Sequence, residues 1–363
     1  MKVYILSLPL HTNIGGILQT FALQKTLQNL GYDTYVIKRN LYGFGFKAAI
    51  LRIRDKINDK IFNNIKIDKN SIFRHITGDL FAQSYYIRPF IRNNIKELYI
   101  NDLKQYQWKD SDAIIVGSDQ VWRMNFFNPI LDAYLNFLGK SKIRRIAYAV
   151  SFGSSEINYP SDLILKCKPL LKNFSAISVR EDTSIRVCKE VFSINSSLVL
   201  DPTMLLDICE YKKIASSILN KEKSFLFSYI LDSSISIKEM LYNICNELKL
   251  SNIDFRNGDY IKPSVECFLA NYLNCEYVVT DSFHGTVFAL LFHKKFVSIA
   301  NYNRGIDRFK SLLSLVGLSN RLIDSNKIED VMYILKDDIN WDDVDRKIMS
   351  LKINSIKLLK ENL

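Results

Sequence analysis

The residues of this chain best suited to chemistry on a small anion each stand where a β-branched run gives way to polar residues. Asp119 follows Ala113-Ile114-Ile115-Val116 in the stretch Gly117-Ser118-Asp119-Gln120-Val121-Trp122. Arg180 follows Ala176 to Val179, and Asp201-Pro202-Thr203 follows Leu198 to Leu200. His284 lies in Thr280-Asp281-Ser282-Phe283-His284-Gly285, directly after Tyr277-Val278-Val279. Arg304 and Arg308 share the loop-like stretch Asn301 to Arg308 that follows Phe296 to Ala300. A carboxylate can take a proton from a hydroxyl, a histidine can give one, and arginines neutralise carboxylates and phosphates. The set suits a highly anionic substrate and a hydroxyl nucleophile that needs a base. Plainer readings stand beside these. Asp119 suits a helix N-cap, Arg180 a surface pair with Glu181, and His284 simple packing behind a cap made by Asp281 or Ser282.

Position is what joins these residues. Open parallel sheets bind ligands beyond the carboxyl ends of their strands. A tight turn over Thr280 to Gly285, feeding a buried helix from Thr286 (Val287, Phe288, Ala289, Leu290), would aim backbone N–H groups at an anion beside His284. A second such place is the loop Pro9 to Gly16, between a strand over 2–8 and a helix over Ile17 to Leu30 closed by Gly31. Its pair Gly15-Gly16 either lets backbone approach a ligand or tightens the turn. The spacing is not Gly-x-Gly-x-x-Gly, so nicotinamide or flavin chemistry is not expected. No Walker loop, Gly-x-Ser-x-Gly elbow or His-Glu-x-x-His is present.

The elements that must hold these residues read as two α/β halves. A chain of 363 residues exceeds one ordinary core. We expect an N-terminal α/β domain over 1–207, a C-terminal Rossmann-like domain over 222–335, and a Lys-rich helix over 336–363. The charged helical stretch 208–223 is the junction. Strands are expected at Asp33 to Ile37, Ala113 to Val116, Arg145 to Val150, Ala176 to Val179, Leu198 to Leu200, Phe225 to Leu231, Ile253 to Arg256, Glu276 to Thr280 and Phe296 to Ala300. Helices fall near 80–98, 235–250, 263–273 and 286–293. Strand ends of the two halves then face a cleft, with Asn13, Asp119 and Arg180 on one side and Ser282, His284, Arg304 and Arg308 on the other.

Six cysteines are scattered without a Cys-x-x-Cys pair, which suits free thiols in a reducing cytosol and no metal site. No run is long enough to span a bilayer, and the first residues read as a strand rather than a signal peptide. The net charge is +11, and the segment Lys38 to Arg74 alone carries +7 of it. Phe44, Phe46, Ile50, Leu51 and Ile53 interleave those cations as in a basic amphipathic helix. Such a face can lie on an anionic membrane or pack as a solvated insertion near 40–75. No nucleic-acid motif supports the other basic partner.

Taken in order, five stretches resemble the polysaccharide pyruvyl transferase family. They are Asn13-x-Gly-Gly with Leu18-Gln19-Thr20-Phe21-Ala22-Leu23-Gln24, Gly117 to Trp122, Val179-Arg180-Glu181, Asp201-Pro202-Thr203, and Thr280 to Gly285. The resemblance covers about residues 1–38 and 112–318. It implies an α/β protein of two Rossmann-like domains in a GT-B-like arrangement. The implied activity moves pyruvate from phosphoenolpyruvate, as co-substrate, onto a sugar of a bacterial capsule or exopolysaccharide precursor as a ketal. Carried over residue by residue, Asp119 is the base, Arg180 a ligand for the donor, and His284 the motif histidine and our choice of acid. Asn13, Gly15, Gly16, Ser118, Ser282, Phe283, Gly285, Thr286, Arg304 and Arg308 are the expected substrate-binding set. Some members carry an arginine two residues before the histidine. Here it is Ser282, which leaves that cation to Arg304 or Arg308. The expected acceptor is lipid-linked, met by a cytoplasmic enzyme at the inner face of the membrane. The chemistry calls for no metal or redox cofactor. A GT-B glycosyltransferase using a nucleotide sugar, and a non-catalytic carbohydrate-binding relative, are the alternatives.

Overall fold

Two all-parallel sheets, each covered on both faces, account for the long uncharged β-branched runs of this chain. The computed structural model describes residues 1–39, 79–218, 224–256, 263–324 and 330–363. From residue 40 onward the basic segment lies outside the described residues. The first sheet is built from β1 (Lys2–Leu6), β2 (Asp33–Arg39), β3 (Glu97–Ile100), β4 (Ala113–Asp119), β5 (Arg144–Val150), β6 (Ala176–Val179) and β7 (Ser197–Leu198). Around it lie α1 (Ile14–Asn29), α2 (Asp79–Asn94), α3 (Ser161–Leu171) and α4 (Asp182–Glu190). The strand order is β3-β2-β1-β4-β5-β6-β7. Ile114, Ile115 and Val116 are wholly buried, as a central strand covered on both faces demands.

The second sheet holds β8 (Leu226–Tyr229), β9 (Asn252–Asp254), β10 (Tyr277–Thr280), β11 (Lys295–Ile299) and β12 (Leu322–Ile323), in the order β12-β11-β10-β8-β9. Its helices are α5 (Ile208–Ala215), α6 (Ile235–Leu248), α7 (Val265–Asn274), α8 (Phe283–Leu291), α9 (Asp307–Val316) and α10 (Val331–Lys336). Strand order reverses between β1 and β4 in the first sheet and between β8 and β10 in the second. These reversal points are where open α/β sheets leave a crevice at their carboxyl ends.

The halves are tied in two ways. The final helix, α11 (Trp341–Asn362), returns to the first sheet. There Ser355 Oγ accepts from Leu200 N at 3.0 Å, and Lys352 Nζ donates to the Leu206 carbonyl at 3.2 Å. One apolar core also runs from β1 and α1 through α5 into α7 and α8. In it the Tyr211 ring stands edge-on to Phe288 at 5.2 Å, and the Tyr211 hydroxyl donates to the Thr203 carbonyl. Each such fully buried side chain contributes roughly 1.5–3 kcal/mol. The cleft floor therefore rests on shared packing.

Several elements differ from expectation. The helix expected near 80–98 stops at Asn94, and Glu97–Ile100 forms the edge strand β3; the final helix expected over 336–363 spans Trp341–Asn362, capped by Asn340. Helix α1 begins at Ile14, not Ile17, because Asn13 caps it by accepting from Gly16 N at 3.1 Å. Helix α8 begins at Phe283, not Thr286, because Ser282 accepts from Gly285 N at 3.3 Å. The stretch after β11 is a short 3-10 turn, Tyr302–Arg304, running into α9 rather than an extended loop.

Candidate active site in the interdomain cleft

Asp119 is aimed by strand irregularity. Gly117 pairs with Tyr148 and Asp119 with Val150, while Ser118 has φ +35° and Asp119 φ +66°. Ala149 on β5 has φ +50°, and the β5–β6 register shifts between Ala147 and Val150. Non-glycine residues in the left-handed region each cost about 1–3 kcal/mol and cluster at functional sites. The result is a buried carboxylate at the end of β4, beside the reversal point.

Arg180, at the end of β6, binds two carboxylates at once. Its Nη2 donates to Asp119 Oδ1 at 3.1 Å and its Nη1 to Asp201 Oδ2 at 2.7 Å, with the side chain 2% exposed. Only Nε lacks a partner among the described residues. Asp201 Oδ1 in turn accepts from Thr203 N at 3.0 Å and Thr203 Oγ1 at 2.7 Å. Burial alone would raise the Asp119 carboxyl, but Arg180, Arg308 and His284 together hold it below the usual carboxylate range. Burial also opposes ionisation of Asp201, and His284, Arg180 and Thr203 more than reverse it, leaving its carboxyl well below that range. Both groups are ionised.

The second domain brings His284 to meet them. Its Nε2 lies 3.5 Å from Asp201 Oδ2, close enough for an ion pair but without hydrogen-bond geometry. The ring fits because residue 15 is glycine: a Cβ there would lie 2.2 Å from His284 Nδ1. Two helix N-termini thus face each other, α1 from the first domain and α8 from the second, neither with an acid in its first turn. Their positive ends favour an anion.

Arg308, in the first turn of α9, is buried with its Nη1 3.6 Å from Asp119 Oδ1. Burial and the neighbouring Arg180 lower its pKa to about 10, so it stays charged at neutral pH. The guanidinium groups of Arg180 and Arg308 lie 4.6 Å and 5.1 Å from the centre of the Phe283 ring. Arg304 is held at the cleft edge by a bidentate pair with Asp232, at 2.6 Å and 2.7 Å. Asn301 bridges Asp232 to Asp281, which itself accepts from the backbone N–H groups of Leu231 and Asp232. From the first domain, Arg123 Nη2 donates to the Asn303 carbonyl at 3.1 Å and its Nη1 to Gln120 Oε1 at 2.7 Å. Gly305 (φ +85°) sits where a Cβ would strike the Gly153 carbonyl oxygen at 2.5 Å, so the domains touch there through backbone.

The resulting cleft encloses about 560 Å³ and is lined by both reversal points. Of the expected residues, Asn13, Asp119, Ser282, Phe283, His284, Arg304 and Arg308 line it. Arg180 lies beneath, committed to its two carboxylates. Gly15 and Gly16 belong to α1, Gly15 as the seat of the His284 ring. Ser118 is buried behind Asp119. Gly285 and Thr286 do not reach the cleft: Gly285 N serves the Ser282 cap, and Thr286 is wholly buried with its hydroxyl on Ser298 Oγ. Sequence reasoning assigned no role to Asp201, Asp232 or Arg123, and offered Asp281 only as a helix cap, a role that Ser282 fills. Asp201 was visible as a strand-end acid, but nothing local marked its partners. Among the described residues no group of three or more His, Cys, Asp or Glu could hold a metal ion.

A solved structure with a TM-score of 0.50 agrees with this architecture, and two more distant ones were also found. A UDP-GlcNAc 2-epimerase from Methanocaldococcus jannaschii, solved with UDP-GlcNAc and UDP, is 16% identical with a TM-score of 0.50, covering 97% of this chain and 100% of its own. A UDP-GlcNAc 2-epimerase from Neisseria meningitidis is 9% identical with a TM-score of 0.46, covering 100% of both chains. An α-glucosyltransferase in complex with UDP is 8% identical with a TM-score of 0.42, covering 100% of this chain and 96% of its own. The expected α/β architecture of two facing domains, GT-B-like, is the observed one. No curated protein sequence matches. The family model described as polysaccharide pyruvyl transferase matches residues 13–303.

Proposed function

This chain belongs to the polysaccharide pyruvyl transferase family, and we propose that it moves the pyruvyl group of phosphoenolpyruvate onto two hydroxyls of a lipid-linked sugar. Membership makes it a transferase of polysaccharide pyruvylation; the donor, the acceptor and the residue roles are the proposal. The observation that supports it is convergence on one cleft. His284, Arg308 and the first-turn N–H groups of α1 and α8 meet there beside the ionised Asp119. Gly16 N and Gly285 N serve the Asn13 and Ser282 caps, while the first-turn N–H groups ahead of them have no intrahelical acceptor and can serve a phosphate or carboxylate.

In this reading the donor's charged groups lie against the helix N-termini and Arg308, which lines the cleft although its Nη2 and Nε donate to the Arg304 and Gly305 carbonyls; Arg180 lies beneath, with both terminal nitrogens on carboxylates. His284 gives a proton to the methylene carbon, which becomes the methyl group, and positive charge develops at the carbon bearing phosphate. A sugar hydroxyl bonds to that carbon and passes its proton to Asp119. A low-pKa carboxylate suffices, because a hydroxyl turns strongly acidic as it bonds to an electron-poor carbon. The carbon–oxygen bond to phosphate breaks, its electron pair leaving with phosphate. The second hydroxyl closes the ketal and its proton leaves with phosphate, while the proton on Asp119 restores His284 through solvent. Fixed charges around the departing phosphate are the electrostatic part of catalysis.

No helix among the described residues is long and apolar enough to cross a membrane. We place the enzyme at the inner face of the cytoplasmic membrane, reached through its basic segment. The test supplies phosphoenolpyruvate or nucleotide sugars together with a lipid-linked oligosaccharide. Phosphate release with a pyruvyl mass increment on the acceptor is expected. Nucleoside diphosphate release instead would replace this reading with glycosyl transfer.

A further inference from the structure

We infer that Asp201, on the first domain, is the positioning residue that sets the tautomer of His284 on the second. The inference rests on the role given to His284 above, but the pair itself is a matter of geometry. Thr203 fixes one carboxylate oxygen, Oδ1, with two donors, its N–H at 3.0 Å and its hydroxyl at 2.7 Å. The other oxygen, Oδ2, is left facing Arg180 Nη1 at 2.7 Å and His284 Nε2 at 3.5 Å. Asp201 is 2% exposed and His284 5%, so water does not compete freely for either. Nε2 has no hydrogen-bond partner and is buried, which makes Oδ2 the acceptor nearest to hand for a proton held there. With Nε2–H directed at Oδ2, Nδ1 is turned toward Gly15, the face at which α1 enters the cleft, and the proton that His284 gives to the donor is the one taken up at Nδ1.

The separation is longer than the roughly 2.8 Å of a charge-assisted bond. Catalytic hydrogen bonds are often long before substrate binds and tighten with it. Because the two residues come from different domains, an anion drawing α1 and α8 together also shortens this contact.

Replacing Asp201 by asparagine gives a sharp outcome. The two Thr203 donors hold the amide oxygen at the Oδ1 position against the one donor, Arg180 Nη1, on the other side, so the amide nitrogen stands at the Oδ2 position and Arg180 Nη1 gives up that bond. That nitrogen donates to His284 Nε2, so the ring must carry its own proton on Nδ1. We would record side-chain ¹⁵N spectra of the histidines in wild type, Asp201→Asn and His284→Gln, the last to assign the His284 signals. Expected are an Nε2–H ring in wild type and an Nδ1–H ring in Asp201→Asn. Turnover should fall by roughly a thousandfold or more, as when an amide replaces an orienting carboxylate, with donor KM changed only a few-fold.

If a folded Asp201→Asn keeps the wild-type tautomer, Asp201→Ala, which offers no acceptor whichever way an amide turns, decides: a wild-type tautomer there too overturns the inference. If the tautomer inverts and turnover is unchanged, the pair stands and the acid role of His284 fails instead. Should Asp201→Asn not fold, Thr203→Val decides. It removes one of the two donors to Oδ1, and a broadened Nε2–H signal with about tenfold lower turnover is expected. An unchanged signal and rate would overturn the inference.

Discussion

Gly15 and His284 belong to different domains, yet the space for the imidazole exists only because residue 15 has no side chain: a Cβ there would lie 2.2 Å from Nδ1. Gly15 is inside α1, where alanine would favour the helix by about 1 kcal/mol. We therefore expect Gly15→Ala to lower both stability and turnover in wild type, and to cost much less in His284→Gly, which also removes the His284 Cβ that would lie 2.8 Å away. Urea unfolding of the double-mutant cycle measures the coupling. Equal effects of Gly15→Ala in the two backgrounds would refute the contact.

Arg180 and Arg304 should behave oppositely on removal. Arg180→Ala strands the buried carboxylates of Asp119 and Asp201, and losing one partner of a buried pair costs about 3–5 kcal/mol. Arg304 is 43% exposed in its pair with Asp232, so Arg304→Ala should cost about 1 kcal/mol or less. Denaturant midpoints compare the two. A small loss for Arg180→Ala would mean that the carboxylates are held by something else.

Glu181 carries a pH-dependent cost. Burial raises its pKa, only partly offset by Arg180 and by Ser184, so the folded state holds the proton more tightly than the unfolded state. Ionisation therefore disfavours folding at pH values above the folded pKa, and the cost vanishes below the unfolded value of about 4.3. Glu181→Gln should be more stable than wild type at pH 7, with the gain fading as pH falls toward 4. A destabilised Glu181→Gln at pH 7 would show the reverse sign.

For Asp119→Asn we expect turnover to fall by about 10²–10⁴-fold, the usual worth of a positioned base. Donor KM should stay level or drop, since one carboxylate fewer faces the anion. Steady-state kinetics with phosphoenolpyruvate separates the cases. A large rise in donor KM with turnover preserved would make Asp119 a binding residue.

The basic segment predicts salt-sensitive membrane binding. Each cation near an anionic surface contributes about 1 kcal/mol, and screening removes that attraction as salt rises. Wild type should sediment with phosphatidylserine-containing vesicles at low salt and be released at high salt. Arg52→Glu/Arg54→Glu/Lys56→Glu should not sediment. Equal behaviour of the two proteins would leave the segment with no membrane role.

What the chain order alone determined were the features that depend on neighbours in sequence. Continuous β-branched runs made the parallel strands recognisable, and polar residues at their ends marked Asp119, Arg180, Asp201 and His284. The boundaries of α1 and α8 were displaced by three residues, because Asn13 and Ser282 each cap a helix that takes in the glycines expected to form a turn. Propensity counts Gly15 against a helix, whereas a ring from the other domain requires it there. Only the tertiary structure decided which cation is committed and which faces the cleft. Arg180 and Arg308 are alike in sequence, but Arg180 is flanked by two carboxylates 2.7 and 3.1 Å away while Arg308 approaches one at 3.6 Å. Such pairings join residues far apart along the chain. They are set by how the domains meet, a distance that no local pattern encodes.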